Sequence, residues 1–163
     1  MIMNNKSNCL FCYNKLNESE SDFHANCLTK IFGKKNNVSL DIDLQDIEAL
    51  ANETINKSLA IPGVQKKLTL ELIKDNKDFR LTLIGFKGNY ILKPPTNEYS
   101  ELPENEDLTM HLAKIAGIDT PLHSLIRFKS GELAYIIKRF DRDNGNKIHV
   151  EDMNQLSGNL TSE

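Results

Sequence analysis

Three cysteines and one histidine crowd into nineteen residues near the N-terminus, as Cys9-x2-Cys12 followed by His24-x2-Cys27. A C-x2-C pair lets two sulfurs reach one ion from a tight turn, and structural zinc takes four such soft or borderline ligands in a tetrahedron. Three thiolates and an imidazole complete that set, with eleven residues between the two pairs. A closed four-ligand set leaves no position for water, so the chemistry implied is structural. Three is an odd number of cysteines, which fits a disulfide framework poorly. Phe11 and Phe23 stand beside the ligands, where they would pack around the ion and support a segment too short to build its own core.

A second set of residues suits phosphate chemistry. Ile61-Pro62-Gly63-Val64-Gln65-Lys66-Lys67 is a small-residue turn followed by positive charge. Backbone N–H groups approach a phosphate closely only where side chains are small, and Gly63 supplies that freedom. Lys93 ends the apolar run Tyr90-Ile91-Leu92, from which an ammonium can reach the α and β phosphates of a nucleotide. Glu106 stands at the start of a helical pattern, placed to pair with Lys93 and hold it. Lys138, Phe140 and Asp141 end a later apolar strand, where Phe140 would line an adenine pocket and Asp141 would reach a ribose. Taken singly, each has a plainer reading: a Pro-Gly turn, a solvated strand-end lysine, a carboxylate favoured by the helix dipole, a core phenylalanine. Their order along the chain argues for the joint reading, a nucleotide held as in the N-lobe of a protein kinase.

The elements that must position these groups are legible in part. A helix is expected over residues 38–57, with Ile47, Leu50, Ala51 and Ile55 at helical spacing and Asp43 and Asp46 at its start. Strand alternation begins at Lys67, with Leu68, Leu70 and Leu72 on one face. Asp75-Asn76-Lys77-Asp78 signals a turn, and Phe79 to Ile84 resumes the strand. Gly85 and Gly88 bracket another turn before Tyr90 to Lys93, which Pro94-Pro95 ends. The period then changes to helical at Leu108, Leu112 and Ile115, with Asn105 as the expected N-cap and Gly117 just past the end. Strands over 123–129 and 133–139 follow, and residues beyond 150 turn polar and frayed. The fold class expected is α+β: a twisted antiparallel sheet with one crossing helix, preceded by a small Cys/His knuckle and a helix. The domains expected are a Cys/His leader at 1–36, the sheet domain at 37–150, and a frayed start of a further lobe at 151–163.

Composition narrows the functional classes. The 163 residues suit one domain with a small appendage. A net charge of −3 gives no reason to expect direct nucleic-acid binding through a basic face. No run approaches eighteen apolar residues, and the N-terminus has no apolar signal region, so a cytoplasmic protein with no membrane partner is expected.

The motifs together resemble the HipA-like serine/threonine kinases, the toxins of type II toxin–antitoxin modules. The resemblance rests on Ile61-Pro62-Gly63-Val64-Gln65-x-Lys67, Tyr90-Ile91-Leu92-Lys93, Asn105-Glu106 with His111-Leu112-Ala113-Lys114-Ile115-Ala116-Gly117-Ile118, and Lys138-Arg139-Phe140-Asp141-Arg142. The segment Asp22-Phe23-His24-x2-Cys27 with Phe32-Gly33 is similar to the leader of a subgroup whose first HipA subdomain is separately encoded. The resemblance implies a kinase N-lobe fold, ATP and Mg²⁺ as cofactors of the complete kinase, and an aminoacyl-tRNA synthetase as a typical protein substrate. It also implies a DNA-binding, HipB-like antitoxin partner, and possibly the separately encoded subdomain as another.

Two departures bear on mechanism. Well-known members carry an autophosphorylated serine before the loop glycine, where this chain has Pro62; Ser58 is the nearest hydroxyl and the candidate phosphosite. The family's Asp-x-His-x-Lys-Asn catalytic loop and later metal-binding aspartate do not occur in the sequence, and Glu151-Asp152-Met153 resembles the last family motif before them. On this reading the chain is an ATP-binding half, inactive alone. The alternative is a non-catalytic module that docks on a partner kinase or antitoxin.

Overall fold

A computed structural model describes residues 8–47, 67–84, 87–96, 98–143, 146–151 and 153–157. The loop at 61–66 with Gly63, Val64 and Gln65, the candidate phosphosite Ser58, and the second half of the helix expected over 38–57 lie outside the described residues.

The chain is α+β, built on a mixed six-stranded sheet. Helix α1 (Ala25–Phe32) buries Cys27, Leu28, Ile31 and Phe32 on one stripe. It ends at Gly33, whose left-handed φ of 67° lets its N–H return to the Thr29 carbonyl at 3.0 Å. Strand β1 (Val38–Ser39) follows. Its presence corrects the expected helix, which begins only at residue 44 and is described as far as Ile47. Strands β2 (Leu68–Asp75) and β3 (Asp78–Leu83) form a hairpin whose turn places Asn76 at φ 53°, a conformation asparagine tolerates. Next come β4 (Tyr90–Lys93), helix α2 (Leu102–Ile115), β5 (His123–Arg127) and β6 (Leu133–Lys138). A small ribbon of β7 (Arg142–Asp143) and β8 (Asn146–Lys147) and a helical turn α3 (Met153–Leu156) complete the described chain.

The strand order is β1-β3-β2-β4-β6-β5. Every pairing is antiparallel except β1 with β3, which is parallel. The sheet is therefore mixed, where the sequence pattern suggests a purely antiparallel one. Between β3 and β4, Gly88 packs directly on β2. A Cβ there would lie 2.5 Å from the Leu70 carbonyl oxygen, so only glycine fits without moving the backbone.

Register divides the sheet into two working faces. Leu68, Leu70, Tyr90, Leu92, Ile126 and Ile136 share one face. They form one apolar core with Leu10, Leu16, Phe23, Ile31 and Phe32 of the N-terminal segment. Tyr90 donates its hydroxyl to the Ile31 carbonyl at 3.4 Å, and its ring lies 5.6 Å from that of Phe32. Lys93, Tyr135 and His123 share the opposite face, and α2 packs there against β5 and β6.

Helix α2 departs from its sequence signature in two ways. It starts at Leu102 with Pro103 in the first turn, so Asn105 lies inside the helix rather than capping it, and Glu106 is one turn in. The apolar stripe Leu108, Leu112 and Ile115 faces away from the sheet and is 49%, 56% and 83% exposed. The buried face instead carries Pro103 and Asp107. The C-terminus behaves as expected: Gly117 takes φ 82°, its N–H meets the Lys114 carbonyl at 3.1 Å, and the Ile118 N–H meets that of Ala113 at 3.0 Å, a Schellman turn.

Candidate functional site

The Cys/His cluster is assembled by short-range structure. Residues 8–15 form a tight knuckle, closed by the Cys9 N–H to the Asn14 carbonyl and the Tyr13 N–H to the Cys9 carbonyl, both 2.9 Å. His24 stands at the N-cap of α1, and Cys27 lies in the first helical turn. The four ligand atoms of Cys9, Cys12, His24 and Cys27 lie within 4.8 Å of one another. Nδ1 of His24 is 3.4 Å from Sγ of Cys12 and 3.8 Å from Sγ of Cys27. A tetrahedral zinc with ordinary bond lengths separates its nitrogen and sulfur ligands by about 3.6 Å, so the spacing suits one ion. The far side of the ring agrees. Nε2 donates to the Lys15 carbonyl at 3.1 Å, which leaves Nδ1 with its lone pair directed at the sulfurs.

Electrostatics within the cluster favour a cation. Burial alone would raise the Cys9 thiol, but backbone N–H groups of His24, Phe11 and Cys12 outweigh it and bring it down to about 7. Burial, then hydrogen bonds with Cys12 and Cys9, pushes Cys27 up to about 12. A lowered Cys9 thiol beside a raised Cys27 thiol is the state a divalent ion relieves, by neutralising the repulsion between thiolates. The cluster can hold a metal ion.

On the opposite face, Lys93 ends β4 and forms an ion pair with Glu106 of α2. Both side chains are mostly covered, and the Lys93 ammonium lies 5.4 Å from the centroid of the Tyr135 ring. The Tyr135 hydroxyl is buried without a hydrogen-bond partner among the described residues. Burial, and then the charges of Glu106 and Asp107, hold it above the ordinary tyrosine range. Behind this pair stands a network that the sequence pattern does not announce. Asp107 is fully buried, receives the Tyr13 hydroxyl, and lies 2.7 Å from Nδ1 of His123 on β5. Nε2 of His111 lies 3.6 Å from the same carboxylate. The His111 ring sits 4.8 Å from the rings of both Tyr13 and His123.

Of the remaining sequence candidates, Lys67 directly precedes Leu68 of β2, which pairs with Leu92 beside Lys93. Lys138 is exposed at the other end of β4, opposite Tyr90. Phe140 is 61% exposed. The Asp141 carboxylate is held by Arg139 at 2.7 and 2.8 Å and by Arg142 at 2.7 Å. The Arg139 guanidinium holds the Asp141 carboxyl below the usual aspartate range, against partial burial. Thus the structure joins Lys93 to Glu106 and gathers the four Cys/His ligands, while the carboxylate expected near a ribose is engaged by two arginines.

Comparison with known proteins decides the family. Residues 59–163 match the family described as "HipA-like C-terminal domain". The chain belongs to the HipA-like family. A Haemophilus influenzae protein named "Putative kinase" is 35% identical over 150 residues, covering 88% of this chain and 41% of that protein. A Sinorhizobium fredii protein named "Putative kinase Y4dM" is 36% identical over 112 residues, covering 61% of this chain and 27% of its own length. The chain thus spans less than half the length of these two relatives. The family match begins after the Cys/His segment and takes in Lys93, Glu106 and the strand end at 138–141. No described helix is long and apolar enough to cross a membrane.

Proposed function

We propose that this HipA-like chain is the ATP-binding lobe of a serine/threonine protein kinase, with a structural zinc in its N-terminal knuckle. The observation that carries the reading is the Lys93–Glu106 pair, a strand lysine held over a sheet by a helix carboxylate. In phosphoryl transfer such a pair presents the lysine to the α and β phosphates. The loop at 61–67 would cover the phosphates, and the strand end at 138–141 would meet the adenine. Mg²⁺ would bridge the phosphates in the complete kinase. The 163 residues contain no Asp-x-His-x-Lys-Asn run, and on this reading phosphate transfer belongs to the complete kinase. A protein substrate, a DNA-binding antitoxin partner, a role in a toxin–antitoxin module and a cytoplasmic location follow from the family reading and belong to the complete system.

An acyl-phosphate derivative of ATP tests the nucleotide site. Its acyl group is transferred to whichever lysine amine lies beside the phosphates. Mass spectrometry should find Lys93 modified ahead of all other lysines, with excess Mg·ATP suppressing it. Labelling spread evenly over Lys74, Lys93 and Lys129 refutes the assignment.

A second reading, a non-catalytic module that docks on a partner kinase or antitoxin, draws on the outward stripe of Leu108, Leu112, Ile115 and Ile118. Co-expression with the neighbouring kinase or antitoxin reading frames distinguishes the two. A stable complex lost on Leu112→Glu supports docking, and a chain that elutes alone from both mixtures removes it.

A further inference from the structure

The N-terminal knuckle and the Lys93 pair lie on different parts of the fold, yet one residue spans them. Tyr13 directly follows the second cysteine of the knuckle and holds φ 61°, a left-handed conformation costly for a bulky side chain. Glycine or asparagine would turn the chain there at less cost. Tyr13 instead carries its hydroxyl to Asp107, the residue next to Glu106 on α2. The route is a fixed one. Leu10, inside the same knuckle, is tied to the open edge of β5: its carbonyl accepts the Leu125 N–H at 3.2 Å and the Ser124 hydroxyl at 2.9 Å. Arg127 on that strand reaches Asp22 at 3.1 Å. The knuckle therefore grips the sheet edge while Tyr13 reaches over it to the helix on the far face.

Helix α2 needs such a fixture. Its apolar stripe of Leu108, Leu112 and Ile115 faces outward, and the one buried apolar side chain among its described residues, Pro103, lies in the first turn. Further along the helix the buried contacts are polar, and they converge on Asp107 from two elements: Tyr13 of the knuckle and His123 of β5. Consecutive helical residues point about 100° apart. Fixing Asp107 against the sheet edge therefore fixes where Glu106 projects, which is onto Lys93.

We propose that Tyr13 and Asp107 are positioning residues that set the rotation of α2, so that the Cys/His knuckle holds Glu106 on Lys93. The inference rests on the nucleotide-site reading given above, and it makes the metal knuckle a determinant of that site's geometry rather than a separate appendage.

The test reads the accessibility of one amine. The protein, purified with zinc, is treated with a limiting acetylating ester, and the rate of modification at each lysine is followed by mass spectrometry. Lys34, whose ammonium packs 4.7 Å over the Phe79 ring on the opposite face, reports general loosening. Glu106→Gln removes the pairing charge and should speed acetylation of Lys93. Tyr13→Phe keeps the ring and its contact with His111 but loses the hydroxyl. It should speed Lys93 at least about threefold, the equivalent of one hydrogen bond, with Lys34 unchanged. Asp107→Asn should act in the same direction, and Tyr13→Phe decides the matter if that variant folds poorly. If Glu106→Gln speeds Lys93 and Tyr13→Phe does not, the positioning role is wrong and the nucleotide-site pair stands. If Glu106→Gln leaves Lys93 at the parent rate, the pair itself is absent and both readings fall. Equal acceleration of Lys34 and Lys93 in Tyr13→Phe marks mere destabilisation and also overturns the proposal.

Discussion

Cys27→Ser protein is expected to carry no zinc and to melt about 10 °C or more below the parent chain. Structural zinc sites contribute several kcal/mol of folding free energy because no preformed site exists in the unfolded chain. A loss of about 3–5 kcal/mol lowers the midpoint of a chain this size by about 10 °C. The location of the ligand sharpens the expectation. Cys27 sits on the buried stripe of α1 with Leu28, Ile31 and Phe32, so an ion bound there would tie the knuckle to the element that covers one face of the sheet. Its removal would free both. Chelation of the parent chain should reproduce the shift, and added zinc should reverse it there but not in Cys27→Ser. Uptake should also weaken as pH falls, since protons compete for the sulfurs and for Nδ1 of His24. Elemental analysis with differential scanning calorimetry settles the point. A parent chain with negligible zinc and an unchanged midpoint in Cys27→Ser would falsify the metal assignment.

What the sequence reveals about this fold follows from the range of each signal. The Cys/His spacing is legible because both pairs are local and each forms within a few residues. The β2–β3 hairpin is legible for the same reason: Leu68, Leu70 and Leu72 alternate, and Asp75 to Asp78 is turn chemistry. Gly117 marks the end of α2 because only a left-handed residue closes that turn at low cost. Strand β1 escapes such a reading, since two residues carry no period, and its parallel partner Phe79 lies forty-one residues away. The start of α2 is marked by Pro103, a residue suited to a first helical turn, while Asn105 has the chemistry of a cap but lies inside the helix.

The rotation of α2 shows a deeper limit. Leu108, Leu112 and Ile115 identify a helix correctly but say nothing about which side meets the sheet. A stripe of apolar residues is evidence of burial only where apolar contact dominates the docking. Here the docking is polar, and Asp107 finds its partners ninety-four residues earlier in Tyr13 and sixteen later in His123. A lone aspartate inside a helix reads as a surface residue, and only the assembled structure brings a buried acceptor to those donors. The expected pairing of Lys93 with Glu106 was accessible because strand and helix follow each other directly.

Asp107→Ala should be the most damaging single change outside the knuckle, costing about 3–5 kcal/mol. Breaking a buried, charge-assisted network by removing its central partner leaves the remaining groups desolvated and unmatched. Here those are the Tyr13 hydroxyl and Nδ1 of the buried His123. Denaturant unfolding of the parent, Asp107→Ala, His123→Ala and the double variant separates the network from simple cavity formation. The double variant should lose clearly less than the sum of the two single changes, because the second deletion removes a group the first had already orphaned. Strict additivity would show that Asp107 and His123 do not act as a unit. The network also gives stability a pH dependence with a definite sign. Burial holds His111 below the ordinary histidine range, opposed by the Asp107 charge and reinforced by His123 and Lys114. The unfolded chain, titrating near about 6.5, then binds more protons than the folded one as pH drops. The contribution of His111 is thus fully present above that value and is lost as pH falls below it toward the folded value. His111→Gln should flatten this part of the stability–pH curve while leaving zinc content unchanged. The same acid-side slope in His111→Gln as in the parent would assign it to the knuckle ligands instead.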